Sequence, residues 1–536
     1  MTPLLSLLFA CDQAPPESTE SSDQLYRASI LLRSTPPTPD EIQRIRADPS
    51  ALEGIVRSWP MDEAFGDLVR DIHAESLYVR FDTENKPPAQ GPLAGYTEAE
   101  VAASLDEAPL RLIEHVVVSG RPYTEIVTAD YTLADPIVSR AYGPPHDPAG
   151  PRWQVSAWSD GRPRAGILSS TTLWQRHPSA DSNFNRSRAT IVASALLCDD
   201  VTTRAVAGSL EPSAQEDDVR NNPDCIACHS ILDPLASSIF GMRRYISPLE
   251  IRQAYEADCE GEHAPFCYPL AFWDPAFIET RSLMSLPAPA LYGHPIAGIE
   301  ELGEAIATDP RFSTCTARRF WSYLARIPLN EVPEELIGEL SRHLIASDYD
   351  ARELILEILT HPRFSPSSPD APAGAIRPQQ LVRTVTSLTG YRWTARPNRG
   401  WGSTELGTTD RYGFQIMMGG IDGWRILGPN PDALPTRELA MAWLAEEAAQ
   451  HATVRTASGT AEHDLLPEGL TTGEDAARAQ LAWLHLRILG EVVDPEGEMV
   501  TEGWELLSTL LNTTDPQRAW AIVLAAFLQD PRLAVL

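Results

Sequence analysis

The stretch TEAEVAASLDEAPLRLIEHVVVSG, Thr97 to Gly120, reads as an amphipathic helix. Thr97 and, three residues later, Glu100 form a capping box, in which each side chain satisfies the other residue's free backbone N–H. Val101, Leu105, Leu110 and Leu112 then recur at intervals that suit a buried helical face. Strand-like alternation is sparse in the rest of the chain, so the expected fold class is mainly α.

Three distant segments extend this reading: Tyr26 to Ile42, Phe320 to Leu336 and Trp483 to Met499. Each is an apolar run containing arginine, followed by proline and acidic residues that open a new helix. The first, LLRSTPPTPDEI, places Pro36, Pro37 and Pro39 there; the second, LARIPLNEVPEEL, has Pro328 and Pro333; the third, ILGEVVDPEGEM, keeps only Pro495. Proline is tolerated in the first helical turn, where its missing N–H has no partner to lose, and acids there favour the helix dipole. Each segment therefore reads as helix, turn, helix. The last two end alike, in LTHPRFS (Leu359 to Ser365) and LQDPRLA (Leu528 to Ala534), as expected for a repeated helix-turn-helix module.

At 536 residues the chain exceeds one core, and roughly three or four domains are expected. The Pro- and Ser-rich stretch 365–377 reads as a linker, and a softer boundary falls near Asp82 to Pro92. The expected division is an N-terminal helical module 25–85, a central region 93–300, a second helical module 301–364, the linker 365–377 and a C-terminal helical domain 378–536. A formal charge of −31, with Lys86 the only lysine, argues against nucleic acid and anionic lipid headgroups as partners, because such binding needs clustered cations. Beyond the first dozen residues no apolar run reaches the roughly 18 to 20 residues of a membrane-spanning helix.

The opening MTPLLSLLFAC places Leu8, Phe9 and Ala10 before Cys11. It resembles a lipoprotein signal peptide, 1–10, cut before a cysteine that becomes lipidated, although no Lys or Arg precedes the apolar run. That resemblance implies a periplasmic or cell-envelope location, with membrane contact only through a lipid at Cys11. Residues 11–24, rich in Pro, Glu and Ser, read as a tether.

Near the middle of the chain stands Cys225-Ile226-Ala227-Cys228-His229, the C-x-x-C-H arrangement. Two thiols at this spacing reach the two vinyl groups of one porphyrin while the imidazole meets the iron. The motif therefore predicts one covalent haem c, held by Cys225 and Cys228, with His229 as proximal iron ligand. Asn221, Asn222 and Pro223 before it, and Asp233-Pro234 after it, predict a short constrained segment, 221–245. Two other readings stay open. A half zinc site would need two further ligands, for which Cys259 and Cys267 are available, and a redox dithiol would need a surrounding β-α-β pattern.

Several stretches resemble the planctomycete-type cytochrome c family, large exported bacterial proteins with domains of unknown function around one haem motif. They are RPYTEIVTADYTLAD (Arg121 to Asp135), RAGILSSTTLW (Arg164 to Trp174), NRSRATIVASALLC (Asn185 to Cys198), DCIACHSILDPL (Asp224 to Leu235), CTARRFWSYLARIP (Cys315 to Pro328) and RPQQL (Arg377 to Leu381). The resemblance implies the same haem roles for Cys225, Cys228 and His229. After Asp-Pro-Leu the family usually continues Gly-Phe, whereas this chain has Ala236, Ser237, Ser238 and Ile239.

The sixth iron ligand separates a carrier from a catalyst, since an open position can bind substrate. Met242 is the nearest thioether, with His177 and His263 as alternative imidazoles. Cys198, Cys259, Cys267 and Cys315 form an even set for two disulfides in an oxidising compartment, with Cys259–Cys267 the first choice. Tyr412 to Trp424, YGFQIMMGGIDGW, reads as a tight turn between apolar elements. No hydrolase triad order, phosphate loop or His-Glu-x-x-His motif stands out. The expectation is an exported cytochrome transferring electrons to or from an unidentified redox protein. The alternatives are a haem-dependent oxidoreductase with an open iron position and a surface interaction protein with structural haem.

Overall fold

A computed structural model of the chain describes residues 20–80, 86–179, 183–203, 223–243, 245–284, 286–365, 368, 374–395, 404–407, 413–432, 434–462 and 464–534. The leader 1–10, Cys11, Asn221, Asn222, Tyr412 and most of the expected linker lie outside these residues. Regular structure is overwhelmingly helical. Among the described residues the strands form three short antiparallel pairs: Thr132–Ala134 with Gln154–Ser156, Ala290–Leu291 with His294–Pro295, and Thr394–Ala395 with Thr404–Glu405.

The helix Glu98–Val118 forms as its sequence predicts. Thr97 Oγ1 accepts from the Glu100 amide at 3.2 Å, and the Glu100 carboxylate accepts from the Thr97 amide at 2.7 Å. Its buried face, including Val101, Leu105, Leu110 and Leu112, packs on the helix Glu63–Leu77.

The three repeated segments are all helix-turn-helix units. They join Glu20–Arg33 to Pro39–Ala47, Pro310–Ala325 to Glu334–Ala346, and Glu474–Leu484, extended by a short π-helix His485–Leu489, to Glu498–Leu511. Each first arm stops at a residue in the left-handed region: Ser34 (φ 52°), Arg326 (φ 57°) and Gly490 (φ 73°). A left-handed residue ends the i→i−4 ladder and turns the chain, so the proline-bearing segment that follows can open the second arm.

Apolar side chains gather into two clusters. One runs from Leu25 to Phe364, joined by Ile421, and draws on the expected N-terminal module, the central region and the second module alike, so no separate core begins at the 82–92 boundary. The other spans Ile376 to Leu533. The helix Glu20–Arg33 serves both: Leu25, Ala28 and Leu32 face the first cluster, while Tyr26 and Ile30 face the second, where the Tyr26 hydroxyl donates to the Ile488 carbonyl.

That helix also shortens the expected 11–24 tether. Helix begins at Glu20, and Gln24 is buried, donating to the carbonyls of Leu359 (3.0 Å) and His361 (3.2 Å). A polar side chain is accepted in the interior because its amide N–H groups find two backbone carbonyls to receive them. The end of the 365–377 stretch likewise packs rather than links: Ile376 is buried in the second cluster, and Arg377 pairs with Glu75 at 2.8 Å.

A charged seam also joins the clusters. Buried Asp71 accepts from Arg80 at 2.6 Å and from Arg383 of the helix Pro378–Thr389. Glycines set two close approaches in the first cluster. A Cβ on Gly303 would lie 2.1 Å from the Val127 carbonyl oxygen, and one on Gly166 (φ 51°) 2.1 Å from that of Ile126. Both press their backbones onto the short helix Glu125–Thr128.

Candidate functional site

The C-x-x-C-H motif lies in a single helix, Pro223–Ser237. Proline at its first position loses no hydrogen bond, and residues three and four apart share a helical face. Cys225, Cys228 and His229 therefore project to one side, all half-buried, while Ile226, 43% exposed, and Ala227 face outward. The helix packs on the helix Arg186–Leu197 and on the hairpin strand Ala290–Leu291. The Cys228 thiol donates to the Val201 carbonyl at 3.3 Å.

The expected break at Asp233-Pro234 does not occur. Pro234 sits inside the helix, where it forfeits one backbone bond and crowds the carbonyl four residues back, at a cost of about 3 kcal/mol. The buried face of Leu232, Leu235 and Ala236 offsets this by packing into the core. Continuing the helix has a chemical result: Asp233 stands one turn after His229, on the same face.

Asp233 organises the site. His229 Nδ1 lies 3.0 Å from Asp233 Oδ1. Arg186, in the first turn of Arg186–Leu197, donates from Nε to Oδ1 at 2.7 Å and from Nη2 to Oδ2 at 3.0 Å. An ionised carboxylate only accepts, so the proton of the neutral imidazole sits on Nδ1 and Nε2 keeps its lone pair. Burial by itself would raise the Asp233 carboxyl, but the hydrogen bonds from His229 and Arg186 and the guanidinium charge outweigh it and hold the group at about 2. The arrangement matches the outer-shell pattern of metal-ligating histidines, in which a carboxylate fixes the ring and raises its basicity.

The other cysteines divide cleanly. Cys198 bonds Cys315 (S–S 2.09 Å) and Cys259 bonds Cys267 (S–S 2.14 Å), leaving Cys225 and Cys228 as free thiols. Cys259 and Cys267 thus lack the thiolates that a zinc site shared with the motif would need. Among the described residues no three His, Cys, Asp or Glu side chains gather into a metal site. The residues do fit a c-type haem: two unpaired sulfurs, an imidazole beside them on the same face, and a carboxylate that leaves Nε2 as the ligand atom.

The remaining candidates lie as follows. Met242 is buried, forms an isolated bridge with Trp273 and packs in the first cluster. His177 Nε2 is 2.8 Å from the Leu77 carbonyl, which fixes its ring as a donor to the backbone. His263 is half-buried on the turn Gly261–Phe266, inside the loop closed by Cys259–Cys267. The described part of the YGFQIMMGGIDGW segment forms a short helix, Phe414–Met417, and a tight loop in which Asp422 accepts three backbone amides at 2.8 Å. Sequence reasoning missed Asp233 and Arg186. The four-residue spacing from His229 to Asp233 was a readable signal once the helix is allowed to run through Pro234. Nothing local links Arg186 to a partner 47 positions away.

Fold and site together define a mainly α-helical protein with repeated helix-turn-helix modules, carrying a C-x-x-C-H helix braced by a buried carboxylate and an arginine. Residues 292–364 match the family model described as "Protein of unknown function (DUF1585)", a domain found in cytochrome c-like planctomycete proteins. The matched region contains the hairpin Pro310–Ala325/Glu334–Ala346 and the Cys315 that bonds Cys198. No curated protein and no solved structure matches the chain. Among the described residues no helix is long and apolar enough to cross a membrane.

Proposed function

We propose that this chain is an exported c-type cytochrome that carries one covalent haem on Cys225 and Cys228, with His229 as iron ligand, and transfers electrons outside the cytoplasm. The observation that carries the reading is the braced imidazole: His229 Nδ1 is held by Asp233 at 3.0 Å, beside two half-buried thiols that remain free while four other cysteines are paired. Haem bound there supplies a one-electron iron couple; the protein's part is to anchor, orient and tune it. Cys225 and Cys228 provide the sulfurs, Asp233 and Arg186 fix the ring and its tautomer, and Pro223–Ser237 presents all three motif side chains on one face.

Two disulfides suit an oxidising compartment, which agrees with the lipoprotein-like leader and a lipid anchor at Cys11. The electron partner is a separate redox protein. The test is expression with a c-type maturation system, followed by haem staining of the denatured chain. Wild type is expected to stain and a Cys225→Ala, Cys228→Ala double variant not to stain; equally unstained chains would end the assignment. Rapid, complete carbon monoxide binding to the reduced protein would replace the carrier with an oxidoreductase that has an open iron position.

A further inference from the structure

The two modules that end alike differ on one outward face. LTHPRFS closes the helix Ala351–Thr360 of the second module, and LQDPRLA closes the helix Pro516–Leu528 of the third. Counting back from the shared leucine, Leu359 or Leu528, sets Glu353 against Ile522 and Glu357 against Ala526. Both glutamates have partners within the chain. Glu353 takes Arg57 of the helix Leu52–Arg57 at 2.8 Å, and Glu357 lies 3.9 Å from His343 Nδ1. An element from the first part of the chain therefore packs on this side of the second module.

In the third module the same two positions are apolar and turned outward. Ile522 is 41% exposed and Ala526 is exposed, one turn apart on one side of Pro516–Leu528. The other side, including Trp520, Val523 and Leu524, is buried, and the helix packs on Pro435–Ala457, so the second core closes without the outward face. The adjoining helix Glu498–Leu511 adds Leu506, 37% exposed. A single exposed isoleucine is ordinary. This one stands where the sister module carries a charge that meets another helix.

The two ends of Pro516–Leu528 differ in charge. One turn before Ile522 stands the exposed Arg518. Past the other end, Glu491 and Asp530 gather on one arginine, Arg532, with His485 Nδ1 3.0 Å from Glu491, and the helix dipole adds negative potential there. A two-fold axis midway between Ile522 and Ala526 lays two such helices antiparallel. Each Ile522 then sits over the partner's small Ala526, and each Arg518 approaches the partner's acidic helix end. We propose that this face of Pro516–Leu528 is a homodimer interface that takes a second copy of the chain. None of its residues belongs to the thioether motif, so the interface stands or falls independently of the haem.

The test is sedimentation equilibrium of the full chain over a micromolar concentration series. The net charge of −31 opposes pairing at low ionic strength, so the measurement is made at physiological salt, where the repulsion is screened. Wild type is expected to move from monomer to dimer mass. Ile522→Glu restores the charge of the sister module and places a carboxylate in the contact on both copies, so it is expected to raise the dissociation constant by roughly 100-fold or more with an unchanged circular dichroism spectrum. Ala526→Glu, at a second exposed position, is expected to act alike. A wild-type chain that stays monomeric throughout the series, or a dimer that both variants leave intact, would overturn the proposal.

Discussion

Replacing Asp233 by asparagine keeps the shape of the side chain but removes the charge between His229 and Arg186. Lowering the carboxyl from 3.8 to about 2 corresponds to about 2.5 kcal/mol at neutral pH. The His229 and Arg186 side chains remain 24% and 20% exposed, so solvent screens part of this, and about 1–2 kcal/mol is the realistic loss. A chain of this length with two cores does not unfold in one step, so a local probe is needed. Hydrogen exchange of the Leu232 to Ser237 amides provides it, and at pH 7 Asp233→Asn should speed exchange by roughly 5- to 30-fold. The sign with pH is fixed by the depressed carboxyl. The stabilisation is complete above about pH 4 and is lost as pH falls through about 2, so wild type and variant should converge over that interval. Unchanged protection in Asp233→Asn at pH 7, or a difference that persists undiminished at pH 2, would refute the view that this charge pair braces the motif helix.

In the haem-loaded protein the same substitution should shift the midpoint potential upward in spectroelectrochemical titration, because a less basic imidazole stabilises the oxidised iron less. The two disulfides should differ in weight: Cys198–Cys315 spans 117 positions and Cys259–Cys267 spans 8, so by loop-closure entropy their double-serine variants should lose about 5 and about 2.5 kcal/mol, read by denaturant titration of the first core, to which both belong. Asp71→Ala removes the carboxylate shared by Arg80 and Arg383, leaving Arg80 to Glu107 and Arg383 to Asp67 at 4.0 Å, and a loss of about 3 kcal/mol should appear as a lower calorimetric Tm. Gly303→Ala forces a methyl group against the Val127 carbonyl and should cost about 1–3 kcal/mol or more in the same assay, whereas Gly338→Ala, with open space around it, should not.

Much of the helical framework was legible because its signals are local. The Thr97/Glu100 box and the proline-bearing turns act within a few residues of chain, and each produced the expected helix boundary. The same local logic failed at Pro234. The rule that a proline ends a helix was overridden by Leu232, Leu235 and Ala236, whose burial depends on elements far away in sequence. The tether prediction failed at Gln24 for a related reason: composition shows nothing to bury there, but carbonyls more than 300 positions away accept its amide.

What the sequence alone determined is the chemistry-bearing spacing: C-x-x-C-H, with Cys225, Cys228 and His229 on one turn, and the repeated helix-turn-helix modules. Tertiary structure decided the partners: Arg186 for Asp233, Cys315 for Cys198, Arg383 for Asp71, and one helix shared between two cores. Spacing within a turn is set by backbone geometry, which every residue carries with it. Pairing across tens or hundreds of positions is set by which buried surfaces fit, and no window of sequence contains both halves of that fit.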